Sequence, residues 1–255
     1  MRPLQLLGPS VSHWCEVNGL RIHARLGGWN RKADTVVLVH GIGVSSRYMM
    51  PMLNALATHV RVAAPDLPGF GRSDKPEHAL TIEQLADALI AWMDAMGLEA
   101  PTLVGNSMGC QIIVDLAVRF PSRIARGVLI GPTLEPGIRK PLPALWRLGI
   151  DAFREAPSLP FLAAYDYLVF GPRRLWRTFG HAVADPLESK LSLVHAPTLV
   201  VRGTRDPIAP QWWVESITRR MPNAQLIAIP GAAHAANYMC PDAVARSVLT
   251  FMAKC

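Results

Sequence analysis

The 255-residue chain is short of charge: Asp, Glu, Lys and Arg make up 18% of it, against 50% apolar residues. That balance excludes a disordered chain and supplies enough apolar surface for a large core. Cysteine is also scarce. Cys15, Cys110, Cys240 and Cys255 lie far apart and form no CxxC pair, so neither zinc-ligand spacing nor a disulfide framework is present. No apolar run reaches the roughly 18–20 residues that a bilayer requires. The apolar stretch within Met1-Arg2-Pro3-Leu4-Gln5-Leu6-Leu7-Gly8 is too short for a signal peptide. A cytoplasmic protein without stable membrane insertion is therefore expected. Long basic runs are missing as well. The chain carries a net charge of +7, but its basic residues cluster only in pairs such as Arg173-Arg174 and Arg219-Arg220, so no nucleic-acid partner is indicated. Peripheral attraction to an anionic membrane surface stays open, and so does a homodimer.

The 22 prolines and 19 glycines are scattered as turn punctuation. Between them, strand-like and helix-like stretches alternate, the pattern of a mostly parallel sheet covered on both faces. Residues 11–17 and 20–27 read as a hairpin around Asn18-Gly19. Thr35–Val39, Val60–Ala64, Pro101–Val104, Gly127–Ile130, Pro197–Val201 and Ala224–Ile229 read as buried strands. A helical stripe runs through Ile82, Leu85, Ala86, Leu89, Met93 and Met96, with Thr81 and Gln84 as a capping box and Gly97 as its stop. Further helices are expected at about 108–119 and 242–253. Residues 133–192 break the rhythm. Trp146, Phe153, Phe161, Tyr165, Tyr167, Phe170, Trp176 and Phe179 fall there, with six prolines from Pro136 to Pro172, as expected of a helical cap of residues 133–192 inserted into a core of residues 1–132 and 193–255. Such an insertion would sit over the C-terminal edge of the sheet, where open α/β sheets bind ligands; its aromatics would either line an apolar pocket or pack within the cap itself.

Gly105-Asn106-Ser107-Met108-Gly109 fits G-x-S-x-G, preceded by a buried strand and followed by a helix. A strand that turns into a helix within so few residues forces its central residue into strained backbone and lifts that side chain off the turn. The flanking positions must be small. Ser107 is the candidate nucleophile, and a serine hydroxyl needs a base, usually a histidine oriented by a carboxylate. His234 follows the last strand; His181 and His195 are weaker candidates. Asp206 stands one strand earlier and is preferred to Glu135 as the orienting carboxylate. The order Ser107, Asp206, His234 is that of one hydrolase fold. His40-Gly41-Ile42-Gly43 follows the strand at 35–39, and the Ile42 and Met108 N–H groups are the candidate oxyanion donors. His40 itself reads as structural.

From about residue 17 onward the chain resembles the α/β-hydrolase superfamily. The resemblance rests on His40-Gly41-Ile42-Gly43, Asp66-Leu67-Pro68-Gly69-Phe70-Gly71-Arg72-Ser73, the Ser107 pentapeptide, and Gly203-Thr204-Arg205-Asp206 followed by His234. It implies an eight-stranded, mostly parallel sheet with helices on both faces and a helical cap inserted after the sixth strand. It also implies a small-molecule substrate and no metal or organic cofactor, and it makes Asp66 a structural residue. Ser107 at the elbow separates the chain from dehalogenases and epoxide hydrolases, which use Asp there. The elbow is similar to that of meta-cleavage-product hydrolases, but Ala233-His234-Ala235 departs from their Gly-His-Trp. The expectation is therefore a serine hydrolase cleaving carboxylic esters of apolar small molecules. The alternatives are a C–C bond hydrolase or lactonase with the same triad, or a non-catalytic ligand receptor on this fold. Cys110 is expected to pack beneath the helix after the elbow.

Overall fold

The computed structural model describes residues 10–30, 33–133, 135 and 141–254. The N-terminal stretch read above, Pro136 and Cys255 lie outside these residues. The hairpin forms as patterned: β1 (Val11–Val17) and β2 (Leu20–Gly27) close on the pair Val17 and Leu20. Asn18 and Gly19 both take positive φ, 51° and 77°, which a two-residue turn matching the strand twist demands.

The other strands are β3 (Thr35–Val39), β4 (Arg61–Pro65), β5 (Thr102–Asn106), β6 (Arg126–Ile130), β7 (Thr198–Gly203) and β8 (Ala224–Ile229). All eight join one sheet in the order β1-β2-β4-β3-β5-β6-β7-β8. The pairs β1–β2 and β2–β4 are antiparallel, and the rest are parallel.

Both sheet faces are covered, so the central strands are apolar throughout rather than alternating. Val37 and Val39 belong to one core with α2 (Ile82–Ala95), α3 (Met108–Arg119) and α8 (Gln211–Arg220). Val36 and Leu38 point the other way, to α1 (Met50–Ala57) and α9 (Pro241–Met252). The Thr81–Gln84 capping box is present, with both reciprocal hydrogen bonds. The sequence pattern passes over α1 and α8. Each is short, ten residues at most, too brief for a clear periodic stripe.

Between β6 and β7 the chain leaves the sheet and forms α4 (Pro141–Ala152), α5 (Leu159–Phe170), α6 (Pro172–Ala184) and α7 (Leu187–Lys190). The prolines do not shred this stretch. Pro160 and Pro172 sit in the first turns of α5 and α6, where a missing N–H costs nothing. Among the described residues no helix is long and apolar enough to cross a membrane.

Candidate active site

The loops after β3, β5, β7 and β8 meet at the C-terminal edge of the sheet. Ser107 occupies the turn from β5 into α3 with φ 57° and ψ −121°. A residue with a Cβ rarely adopts this backbone, at a cost of about 1–3 kcal/mol. The turn is enforced from both sides. A Cβ at Gly105 would lie 2.6 Å from the Gly109 carbonyl carbon, and one at Gly109 would lie 2.4 Å from the Val39 carbonyl oxygen. The spacing of small residues around Ser107 is thus a steric requirement of this fold. Met108 opens α3, so its N–H is among the four that a helix leaves without an internal acceptor. The loop after β3 packs on the serine, since a Cβ at Gly41 would lie 3.2 Å from Ser107 Cβ.

His234 and Asp206 are joined. The imidazole Nδ1 lies 3.0 Å from Asp206 Oδ2, and Asp206 Oδ1 accepts from the Ile208 and Ala209 amides at 2.7 and 2.9 Å. Burial pushes the Asp206 carboxyl up, but His234 and these two amides outweigh it and hold the group below its ordinary value. Ser107 and His234 border one cavity of about 560 Å³, together with Ile42 and Met108. Among the described residues no hydrogen bond links Ser107 Oγ to the imidazole. Such contacts often tighten only once a substrate is bound. Glu135 forms an ion pair with Arg147 and is not the carboxylate on the ring. His181 lies in α6 and His195 before β7, and neither borders the cavity.

Several participants carry no motif. Asp151 at the end of α4 accepts from the His234 N–H at 3.2 Å, and Glu155 accepts from the Ala235 N–H at 2.6 Å. Both carboxylates border the cavity. Burial, with Asp151 alongside, raises Glu155 to about 7; burial also raises Asp151. For His234 burial acts downward, but Asp206, Asp151 and Glu155 together raise it to about 9. Asn106 bridges the elbow to the histidine loop, its Nδ2 donating to the carbonyls of Ile130 and His234 at 3.1 and 3.2 Å. The Tyr48 hydroxyl donates to Asn106 Oδ1 at 2.9 Å. The only sequence signal for Asp151 and Glu155 is their four-residue spacing, which puts two acids on one side of a helical stretch.

Gly131, just past β6, has φ 54°, and a Cβ there would lie 2.9 Å from His234 Nδ1 and 3.1 Å from Asp206 Oδ2.

The neighbouring motif residues are structural. His40 is fully buried, its Nδ1 2.8 Å from the Gly41 carbonyl and its Nε2 accepting from the Leu67 N–H at 3.1 Å; burial lowers its pKa. Asp66 accepts from the Ser46 and Arg72 amides and pairs with His23. Cys110 lies within the first turn of α3 rather than beneath it, buried with its Sγ donating to the Gly105 and Ile130 carbonyls and its thiol raised by burial; Cys15, Cys110 and Cys240 are free.

The cavity is lined mostly by aliphatic groups, and the expected aromatic lining is largely absent. Of the eight aromatics in the insertion only Tyr167 and Phe179 border it. Phe170 is buried against Phe70, and the other five point outward.

The chain matches the alpha/beta hydrolase family over residues 36–247. It belongs to that family, and the eight-stranded sheet with the G-x-S-x-G turn after β5 is consistent with it. Among curated relatives, "Putative carbamate hydrolase RutD" of Caulobacter sp. (strain K31) is 28% identical over 260 residues, covering 92% of this chain and 96% of that protein. The 2-hydroxy-6-oxo-6-phenylhexa-2,4-dienoate hydrolase of Burkholderia cepacia is 28% identical over 272 residues, covering 93% of each. The solved structure of a thermophilic esterase from Thermogutta terrifontis superposes with a TM-score of 0.81 at 22% identity, over 96% of this chain and 99% of that one; this likeness concerns the fold.

Proposed function

We propose that the protein is a serine hydrolase cleaving carboxylic esters of neutral, apolar small molecules. The observation that carries this reading is the Asp206–His234 pair facing, in one apolar cavity, a serine held at positive φ. Ser107 is the nucleophile, His234 the general base and Asp206 the group that fixes the imidazole. With Nδ1–H donated to Asp206, Nε2 takes the Ser107 proton as Oγ bonds to the carbonyl carbon. The carbonyl oxygen becomes an oxyanion, held by the Ile42 and Met108 N–H groups. His234 returns the proton to the departing alcohol, leaving an acyl-serine. Water then attacks the acyl carbon, giving its proton to His234, and the acid departs as Ser107 regains its hydrogen. The helices between β6 and β7 act as the cap over this cavity.

A second reading is C–C bond or carbamate hydrolysis by the same residues, supported by the two curated relatives. Weighing against an anionic dienoate are Asp151 and Glu155, two carboxylates on the cavity wall. The Arg147 guanidinium on the same wall is already paired with Glu135.

The test is a serine-reactive phosphonate with mass mapping, followed by matched kcat/KM on a neutral p-nitrophenyl ester, a neutral carbamate ester and an anionic dienoate. Labelling at Ser107 with the ester fastest supports the proposal. Labelling with the dienoate fastest replaces the ester reading by the second. Absence of labelling and of turnover refutes both and leaves a ligand receptor.

A further inference from the structure

The outer surface of the helical insertion is built inside out. Helix α5 contains one charged residue, Asp166, and it is buried, accepting from the Ser45 hydroxyl at 2.7 Å. The opposite stripe of α5, Phe161, Tyr165 and Leu168, recurs at i, i+4 and i+7 and faces out, with Phe161 80% and Leu168 81% exposed. Trp146 on α4 and Phe153 just beyond it are 73% and 93% exposed. Helix α6 packs against α5 and presents Arg173, Trp176 and Arg177 at i, i+3 and i+4, all exposed. Scattered single apolar residues are normal on a protein surface, but large side chains gathered on consecutive helices mark an interaction site. None of these residues borders the cavity, so the substrate does not account for them.

We propose that this face docks on an anionic phospholipid surface, peripherally and without spanning it. Charge selects the occupant. The apolar and aromatic side chains suit the boundary between headgroups and acyl chains, where tryptophan is favoured. The arginines beside them suit anionic headgroups. Of the insertion's carboxylates, Glu135, Asp151, Asp166 and Asp185 are buried, while Glu155 faces the cavity and Glu188 lies on α7. Helix α5 has no acid other than the buried Asp166 and α6 has none, so no acid on these two outward stripes opposes such a surface. A second copy of the chain would bring the same arginines against them. The proposal does not depend on the ester reading.

The test is sedimentation of the full chain with vesicles of phosphatidylcholine alone or mixed with phosphatidylglycerol. Binding is expected with the mixed vesicles, falling at high salt. Arg173→Glu/Arg177→Glu should cut partition by tenfold or more, since each basic residue at such a surface contributes about a fivefold factor. Phe153→Ser/Phe161→Ser/Leu168→Ser should abolish it. Both variants should keep the parent melting temperature and the parent activity on a water-soluble ester. A measurement independent of the variants is quenching of tryptophan emission by brominated acyl chains, expected because Trp146 on α4 and Trp176 on α6 are exposed. Equal partition to both vesicle types, unquenched emission, or folded variants that bind as the parent does would overturn the proposal. A dimer dissolved by the same substitutions, with no vesicle binding, would replace it by self-association.

Discussion

Helices α3 and α5 are each twelve residues long, and each is the inverse of the other. In α3 ten residues, Met108 to Ala117, are buried. In α5 only Leu159, Asp166 and Phe170 are. Helix α3 hides its apolar residues to brace the turn that carries Ser107. Helix α5 hides its one charge, packs Leu159, Tyr167 and Phe170 inward, and shows Phe161, Tyr165 and Leu168 to the outside. The first arrangement is what folding requires. The second leaves Phe161 and Leu168 largely exposed to solvent, and the proposed use of that surface lies outside the molecule.

Four measurements can break or sharpen that contrast. The largest effect belongs at the start of α3: Ser107→Ala should lower kcat on esters by roughly 10⁴-fold or more without unfolding the protein. A folded variant cleaving p-nitrophenyl esters at the parent rate removes Ser107 from the mechanism. Next, Ile113→Ala within α3 should cost about 2–5 kcal/mol of stability, as for other buried aliphatic side chains, read by denaturant titration. A loss well under that would mean α3 is not the brace described.

Where the insertion meets the core, the effect concerns pH. His234 must be neutral to act as base, and its pKa is raised to about 9. Ester turnover should therefore climb with pH through that region. Glu155, at about 7, is negatively charged there and stabilises the imidazolium. Glu155→Gln should move the midpoint of the acid limb of kcat/KM downward by roughly half a unit or more. A midpoint unmoved, or displaced upward, would uncouple the insertion from the histidine. The smallest effect is on the outer side of α5, where Phe161→Ser should change stability by less than about 0.5 kcal/mol. A substantial loss there would show that Phe161 packs against something in the folded chain and end the contrast with α3.

The sheet and the elbow were legible because their physics is local. Strands such as β3, whose Val36 to Val39 are all apolar and buried, announce themselves by unbroken apolar residues; β8, at the sheet edge and interrupted by Gln225, shows the same signal more weakly. The glycines around Ser107 are imposed by contacts within a few residues, apart from the close approach of Val39. Asp206 and His234 could be chosen because both follow strands whose ends must converge. Asp151 and Glu155 escaped notice because they reach the histidine across about eighty residues of chain, and no spacing rule spans that distance. The aromatics of the insertion were misplaced for a related reason. Composition says that a segment is apolar, but only the packing says which way each ring faces.

Gly131 touches both His234 and Asp206 without taking part in the proton traffic. A single methyl at this position would crowd both the ring and the carboxylate, so that one of them would have to shift. In the proposed mechanism this would alter the reach of His234 toward Ser107 with Ser107, His234 and Asp206 themselves left as they are. At position 131, where φ is 54°, the backbone and its two neighbours leave no room for that methyl.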